Sequence, residues 1–84
     1  MNAGHHIKLG ELAKGKPARI MSIDPHAGSA EICARLMEMG LLEGSLVEVI
    51  HEAPFGGDPI AVRVRGALIA LRRNEANHIW VKHE

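Results

Sequence analysis

Aromatic side chains are nearly missing from this 84-residue chain: there is no tyrosine, and Phe55 and Trp80 stand alone. Net charge is missing too, because ten basic residues balance ten acidic ones. There is one cysteine, Cys33, and no apolar run near the ~18 residues that a membrane span needs. Each scarcity excludes something. Two aromatics offer no platform for stacking successive bases and no walls for a proline-rich peptide groove. A balanced charge gives no long-range attraction to a phosphate backbone, so nucleic acid is not an expected partner. A lone cysteine makes no internal disulfide, so the fold does not rely on an oxidising compartment. The segment Met1 to His6 lacks a basic stretch followed by an apolar run. No secretory signal is read there, and a soluble cytoplasmic protein is expected.

What the chain has instead is aliphatic, with 46% of its residues apolar. A chain this short buries only ~60–65% of its unfolded surface, so one domain over 1–84 with a compact Ile, Leu, Val and Met core is expected.

The pattern along the chain changes period once. Ile7 to Leu12 is short and mixed, and Lys14-Gly15-Lys16-Pro17 gives turn chemistry. Ala18 to Ile23, centred on Ile20 and Met21, reads as a strand stopped by Asp24-Pro25, since proline has no N–H to give a ladder and biases Asp24 away from helix. Ser29 to Met39 is the one convincing helix. Ser29 is placed to cap it, Glu31 suits the positive end of its dipole, and Gly40 suits its end. Ile32, Leu36 and Met39 form its apolar stripe, widened by Cys33 and Met37, while Glu31 and Arg35 are spaced to pair on the exposed side.

From Gly44 the period is two. Val47, Val49 and His51 alternate with Glu48, Ile50 and Glu52; Ile60, Val62 and Val64 alternate with Ala61, Arg63 and Arg65. Gly66 turns the chain into a strand carrying Ala67, Ile69 and Leu71, and Ile79 and Val81 form a last one after a helical turn over Asn74 to Asn77. About five short strands with one inserted helix suggest a small barrel or strongly bent sheet, whose closure would remove exposed edges.

Candidate chemistry is thin. Six histidines, His5, His6, His26, His51, His78 and His83, show no metal-ligand spacing, and no second cysteine supports a thiolate site. His26, two residues after Asp24, and His83, beside Glu84, are the candidates for a weak divalent-metal contact. Cys33 lies beside the apolar stripe, so it reads as a small buried hydrophobe rather than a nucleophile. No nucleophile elbow, phosphate-cradling loop or carboxylate pair is present, so an enzyme is not expected. Arg63, Arg65, Arg72 and Arg73 read as the solvated face of two paired strands.

Two stretches carry more information. Ala53-Pro54-Phe55-Gly56-Gly57-Asp58-Pro59 fixes an unusual loop with an apolar residue at its tip. Phe55 either folds back over an open barrel end or projects as a knob for a partner. In Met37 to Gly44, two leucines lie between two glycines after the helix. At least one of Leu41 and Leu42 should pack into the core, leaving the other beside Met37 as an apolar patch. The candidate contact residues are therefore Met37, Leu41, Leu42, Pro54 and Phe55.

These pieces together resemble a known family. Arg35-Leu36, Met39-Gly40-Leu41, Glu43-Gly44, Ala53-Pro54, Gly57-Asp58-Pro59, Arg65-Gly66, Ile69-Ala70-Leu71-Arg72, Glu75-Ala76 and Ile79-Trp80-Val81 follow one another as in the FeoA family. Leu9 to Leu12, Gly15, Ala18 and Ile20 extend the likeness over about 9–81. Glu43 stands where many members have proline, a change confined to a turn. The resemblance implies an SH3-like small barrel, mostly β with one inserted helix. It also implies a cytoplasmic accessory protein of bacterial ferrous-iron uptake that contacts the cytoplasmic part of an FeoB-type transporter. A similar domain ends the iron-dependent repressors, but no helix-turn-helix is read here. The alternative is a small metal sensor or carrier that binds Fe(II) or another divalent ion weakly through surface histidines.

Overall fold

The computed structural model describes residues 6–24 and 30–84. Among these residues six strands form one antiparallel sheet: β1 (Ile7–Lys8), β2 (Ala18–Ile23), β3 (Leu46–Glu52), β4 (Ile60–Val64), β5 (Ala67–Leu71) and β6 (Ile79–His83). Their order is β1-β6-β2-β3-β4-β5. Helix α1 (Ala30–Glu38) sits between β2 and β3, and a one-turn helix α2 (Arg73–Ala76) joins β5 to β6. The strand beyond the five expected is β1, two residues long, whose Ile7 and Lys8 pair with Val81 and Trp80. It runs into a 3-10 turn over Leu9–Glu11. Ser29 and its expected cap lie outside the described residues.

Alternation builds the core. Val47, Val49, Ile60, Val62, Val64 and Val81 are all buried, while Arg63 and Leu68 point outward from the same sheet. The alternation breaks at two bulges. Between Val49 and His51 the register with β4 slips, so that Val49 faces Val62 but His51 faces Ala61. Ile50 is the extra residue, and it turns His51 to the outer face with Arg63, where strict period two expects it inward. A similar slip between Ile20 and Ser22 makes Met21 the extra residue of β2, so that Ile20 stays in the core opposite Val81 while Ser22 pairs with Trp80.

Helix α1 fastens to this core through Leu36, which is buried, with Ile32 and Met39 packed against it. Met37, read as part of the same stripe, is 50% exposed. Gly40 adopts φ 101°, and the Leu41 N–H then reaches back to the Leu36 carbonyl at 3.1 Å. This left-handed glycine closure ends the helix and throws the next residue, Leu41, into the core. Arg35 reaches across to Glu75 of α2, with Nη2 and Oε2 3.3 Å apart, rather than along its own helix to Glu31.

The end of β6 is tied to β2 on the surface. The Arg19 guanidinium donates to both carboxylate oxygens of Glu84, at 3.0 and 3.2 Å. That hydrogen bond, and then the charge of Arg19, hold the Glu84 carboxyl below its ordinary value of 4.5. A carboxyl lowered in the folded state contributes stability above its unfolded value, lost as pH falls through the folded one. Glu84→Gln should therefore flatten the acid side of a stability-versus-pH curve below the ordinary carboxylate range. Near neutral pH its effect should be small, because both groups are exposed. Urea midpoints collected across that range check this.

Candidate functional site

The stretch from Met37 to Glu43 makes the more developed apolar surface. Its backbone path follows from the Gly40 closure and from Gly44, at φ 88°, whose N–H bonds to the Ile20 carbonyl at 2.7 Å. Ile20 in turn donates to the Ser45 carbonyl, so this connection is stitched to β2. A groove of about 270 Å³ opens there, lined by Ser22, Ile23, Met37, Leu41, Leu42 and Glu43. Met37 and Leu42 form its exposed apolar part, at 50% and 36%.

Leu41 corrects the sequence reading of this patch. It is 0% exposed, so it supports the groove from within the core and presents no side-chain surface to a partner. Ile23 and Ser22 were not among the candidates. They line the groove because the β2 bulge at Met21 turns that end of the strand, and a bulge leaves no mark in an apolar pattern.

Pro54 and Phe55 lie elsewhere. The loop from Ala53 to Pro59 is closed by the Ala53 N–H on the Pro59 carbonyl and the Gly57 N–H on the Ala53 carbonyl, both at 3.1 Å. Gly56 and Gly57 both adopt positive φ, and the Asp58–Pro59 peptide is cis. Phe55 projects from the tip at 91% exposure, so it does not fold over a barrel end. Leu46 and Glu52 are the two ends of β3, and seven residues of strand separate them by roughly 20 Å. The five candidate residues thus form two patches: Met37 and Leu42 near the start of β3, and Pro54 and Phe55 beyond its end.

One arginine organises the second patch. Arg73 donates through Nε to the Gly57 carbonyl at 2.7 Å and through Nη1 to the Gly10 carbonyl, and Nη2 lies 3.4 Å from Glu52 Oε1. Its backbone N–H is held by Asp58 Oδ1 at 3.0 Å. The four-arginine strip therefore divides. Arg73 is a structural tie, whereas Arg63, Arg65 and Arg72 are exposed and have no carboxylate partner among the described residues.

Among the described residues no three His, Cys, Asp or Glu side chains come together as a cation site. His83 is exposed at the end of β6, and His26 lies outside the described residues. Cys33 is half-buried, with Sγ 3.9 Å from the Asp24 carbonyl oxygen. Among the described residues no helix is long and apolar enough to cross a membrane.

A family model described as the FeoA domain matches residues 7–83. The chain belongs to the FeoA domain family. A FeoA protein of Chlorobium tepidum, solved in solution, is 40% identical with a TM-score of 0.81, over 92% of this chain and 70% of that one. FeoA of Stenotrophomonas maltophilia, crystallised with zinc and described as a prokaryotic SH3 domain protein, is 36% identical with a TM-score of 0.77, over 90% of this chain and 89% of that one. The expected SH3-like architecture is thus the one present. A fusion of Fe(2+) transport protein A with the Fe(2+) transporter FeoB, from Porphyromonas gingivalis, is 32% identical over 76 residues. These cover 90% of this chain and only 8% of the fusion protein.

Proposed function

We propose that this FeoA-family chain is an accessory protein of bacterial ferrous-iron uptake, acting in the cytoplasm by contact with the cytoplasmic part of an FeoB-type transporter rather than by catalysis. The observation that carries the reading is the Porphyromonas gingivalis fusion, in which a related segment and a FeoB transporter share one polypeptide. Covalent linkage raises the effective concentration of two modules that must meet. The surface supports the same reading, because Met37 at the helix end and Leu42 and Phe55 on loops are exposed apolar groups that a partner can reach. Met37 and Leu42 supply a groove suited to an apolar side chain or helix face, and Phe55 supplies an aromatic anchor.

Capture of the chain by an immobilised cytoplasmic domain of an FeoB-type transporter tests the reading. Leu42→Gln and Phe55→Ala should each weaken capture by roughly tenfold or more, as expected for truncating an apolar anchor. Both positions are exposed, so the variants keep the fold and a loss of capture reports on contact. Capture that is absent, or unchanged in both variants, rules the assignment out.

A further inference from the structure

Strand β5 ends the sheet on one side, and among the described residues it pairs with β4 and with no other strand. The turn that joins them has two residues, Arg65 at φ 53° and Gly66 at φ 82°, the mirror-image turn of tight hairpins. Its closing pair, Val64 and Ala67, exchanges hydrogen bonds, and an antiparallel ladder alternates from there. Val62 with Ile69 and Ile60 with Leu71 are the next bonded pairs, and Arg63 with Leu68 and Ala61 with Ala70 are the unbonded ones. The backbone N–H and C=O of Leu68 and Ala70 therefore point away from β4, out of the sheet. Among the described residues nothing pairs with them.

Sheet edges are ordinarily guarded by charge, proline, a bulge or shortness. The opposite edge, β1, is only two residues long. Strand β5 is Ala-Leu-Ile-Ala-Leu, without charge or proline, and its register with β4 runs without a slip. Leu68 is 65% exposed, and Leu46 on the same outer face is 46% exposed. A cleft of about 410 Å³ opens beside Ala70, bounded by Arg35, Arg72, Glu75 and Asp58-Pro59.

Charge selects the occupant. Arg63, Arg65 and Arg72 surround the strand, exposed and with no carboxylate in ion-pair contact among the described residues, Glu48 standing across the ladder from Arg63. The carboxylates of the cleft are already engaged, Glu75 by Arg35 and the Arg72 N–H, Asp58 by the Arg73 N–H. A second copy of the chain, paired antiparallel about Ile69, would set Ala67 against Leu71 and so Arg65 beside Arg72, like charge against like.

We propose that the open edge of β5 receives an extended acidic segment of another protein, which adds a strand to the sheet through the backbone of Leu68 and Ala70 and places its carboxylates against Arg63, Arg65 and Arg72. Backbone pairing supplies affinity in this mode, and the flanking arginines supply selectivity.

The test uses peptides of about ten residues in which valine and threonine alternate with glutamate, serine or lysine, added to the full ¹⁵N-labelled chain. The glutamate peptide should slow amide exchange at Leu68 and Ala70 and bind roughly tenfold or more tighter than the lysine peptide. Arg63→Glu with Arg72→Glu, both at exposed positions, should invert that preference without unfolding the protein. Ala70→Pro should abolish binding of every peptide, since it removes an outward N–H and leaves the β4 ladder bonded. Unchanged exchange at Leu68 and Ala70 with all three peptides overturns the proposal. So does equal binding of the glutamate and lysine peptides, or protection of β5 that grows with protein concentration alone, which marks a second copy as the occupant.

Discussion

Leu41→Ala should destabilise the protein by about 3 kcal/mol, within the roughly 2–5 kcal/mol found for truncating buried leucines. Leu42→Ala, one residue on, should cost less than about 1 kcal/mol. The contrast follows from the helix ending. Gly40 turns left-handed, the Leu41 N–H closes on the Leu36 carbonyl, and the Leu41 side chain lands beside Leu36 in a core from which both are excluded from solvent. Its truncation removes dispersion contacts from a closely packed core that relaxes only partially around the cavity. Leu42 remains 36% exposed, and its removal leaves water where water already was. A domain of 84 residues has a total stability of only roughly 4–13 kcal/mol. Leu41→Ala therefore removes a large share, and its melting temperature should fall by ~12–24 °C. Thermal unfolding followed by circular dichroism separates the two variants directly. Equal melting temperatures would show that Leu41 does not occupy the core.

The same pair shows how far the sequence could be read. Two leucines between two glycines point to at least one inside, and the pattern alone does not say which. The choice depends on the hydrogen bond that Gly40 permits, which is local geometry rather than hydropathy. Strand β4 was fully legible, because Ile60, Val62 and Val64 alternate with charged or small residues and no bulge interrupts them. Strand β3 was legible only as far as Val49. His51 continues the period of two in the sequence, but the extra residue Ile50 sends it outward. Phe55 was legible as a loop residue. Its exposure rests on the Gly56-Gly57 path and on contacts made by residues far along the chain. The open edge of β5 was not legible at all, because strand order is a property of the assembled sheet.

Arg73→Ala should cost about 2–4 kcal/mol, more than a surface arginine normally contributes. The reason is what its guanidinium holds. Hydrogen bonds from a charged donor contribute roughly 1.5–3 kcal/mol each, and Arg73 makes them to the carbonyls of Gly10 and Gly57, with Glu52 beside the third nitrogen. Gly10 is buried, so its carbonyl loses its donor without gaining free access to water. The 3-10 turn, the end of β3 and the Phe55 loop thus converge on one side chain from α2. Gly10 is matched to the arrangement: a Cβ there would collide with the Asn77 side chain and sit 3.2 Å from the Arg73 carbonyl oxygen. Arg73→Lys should recover less than half of the loss, because a compact ammonium cannot reproduce a planar fork that serves separate acceptors. Urea unfolding of the two variants measures the stability term. Amide exchange at Gly57, whose N–H bonds the Ala53 carbonyl, measures the loosening of the loop. If the loop is released in Arg73→Ala, Phe55 loses its fixed position, and capture by the transporter domain should weaken even though Phe55 is intact. Stability and exchange both unchanged would show that the loop holds itself and that Arg73 is only solvated charge.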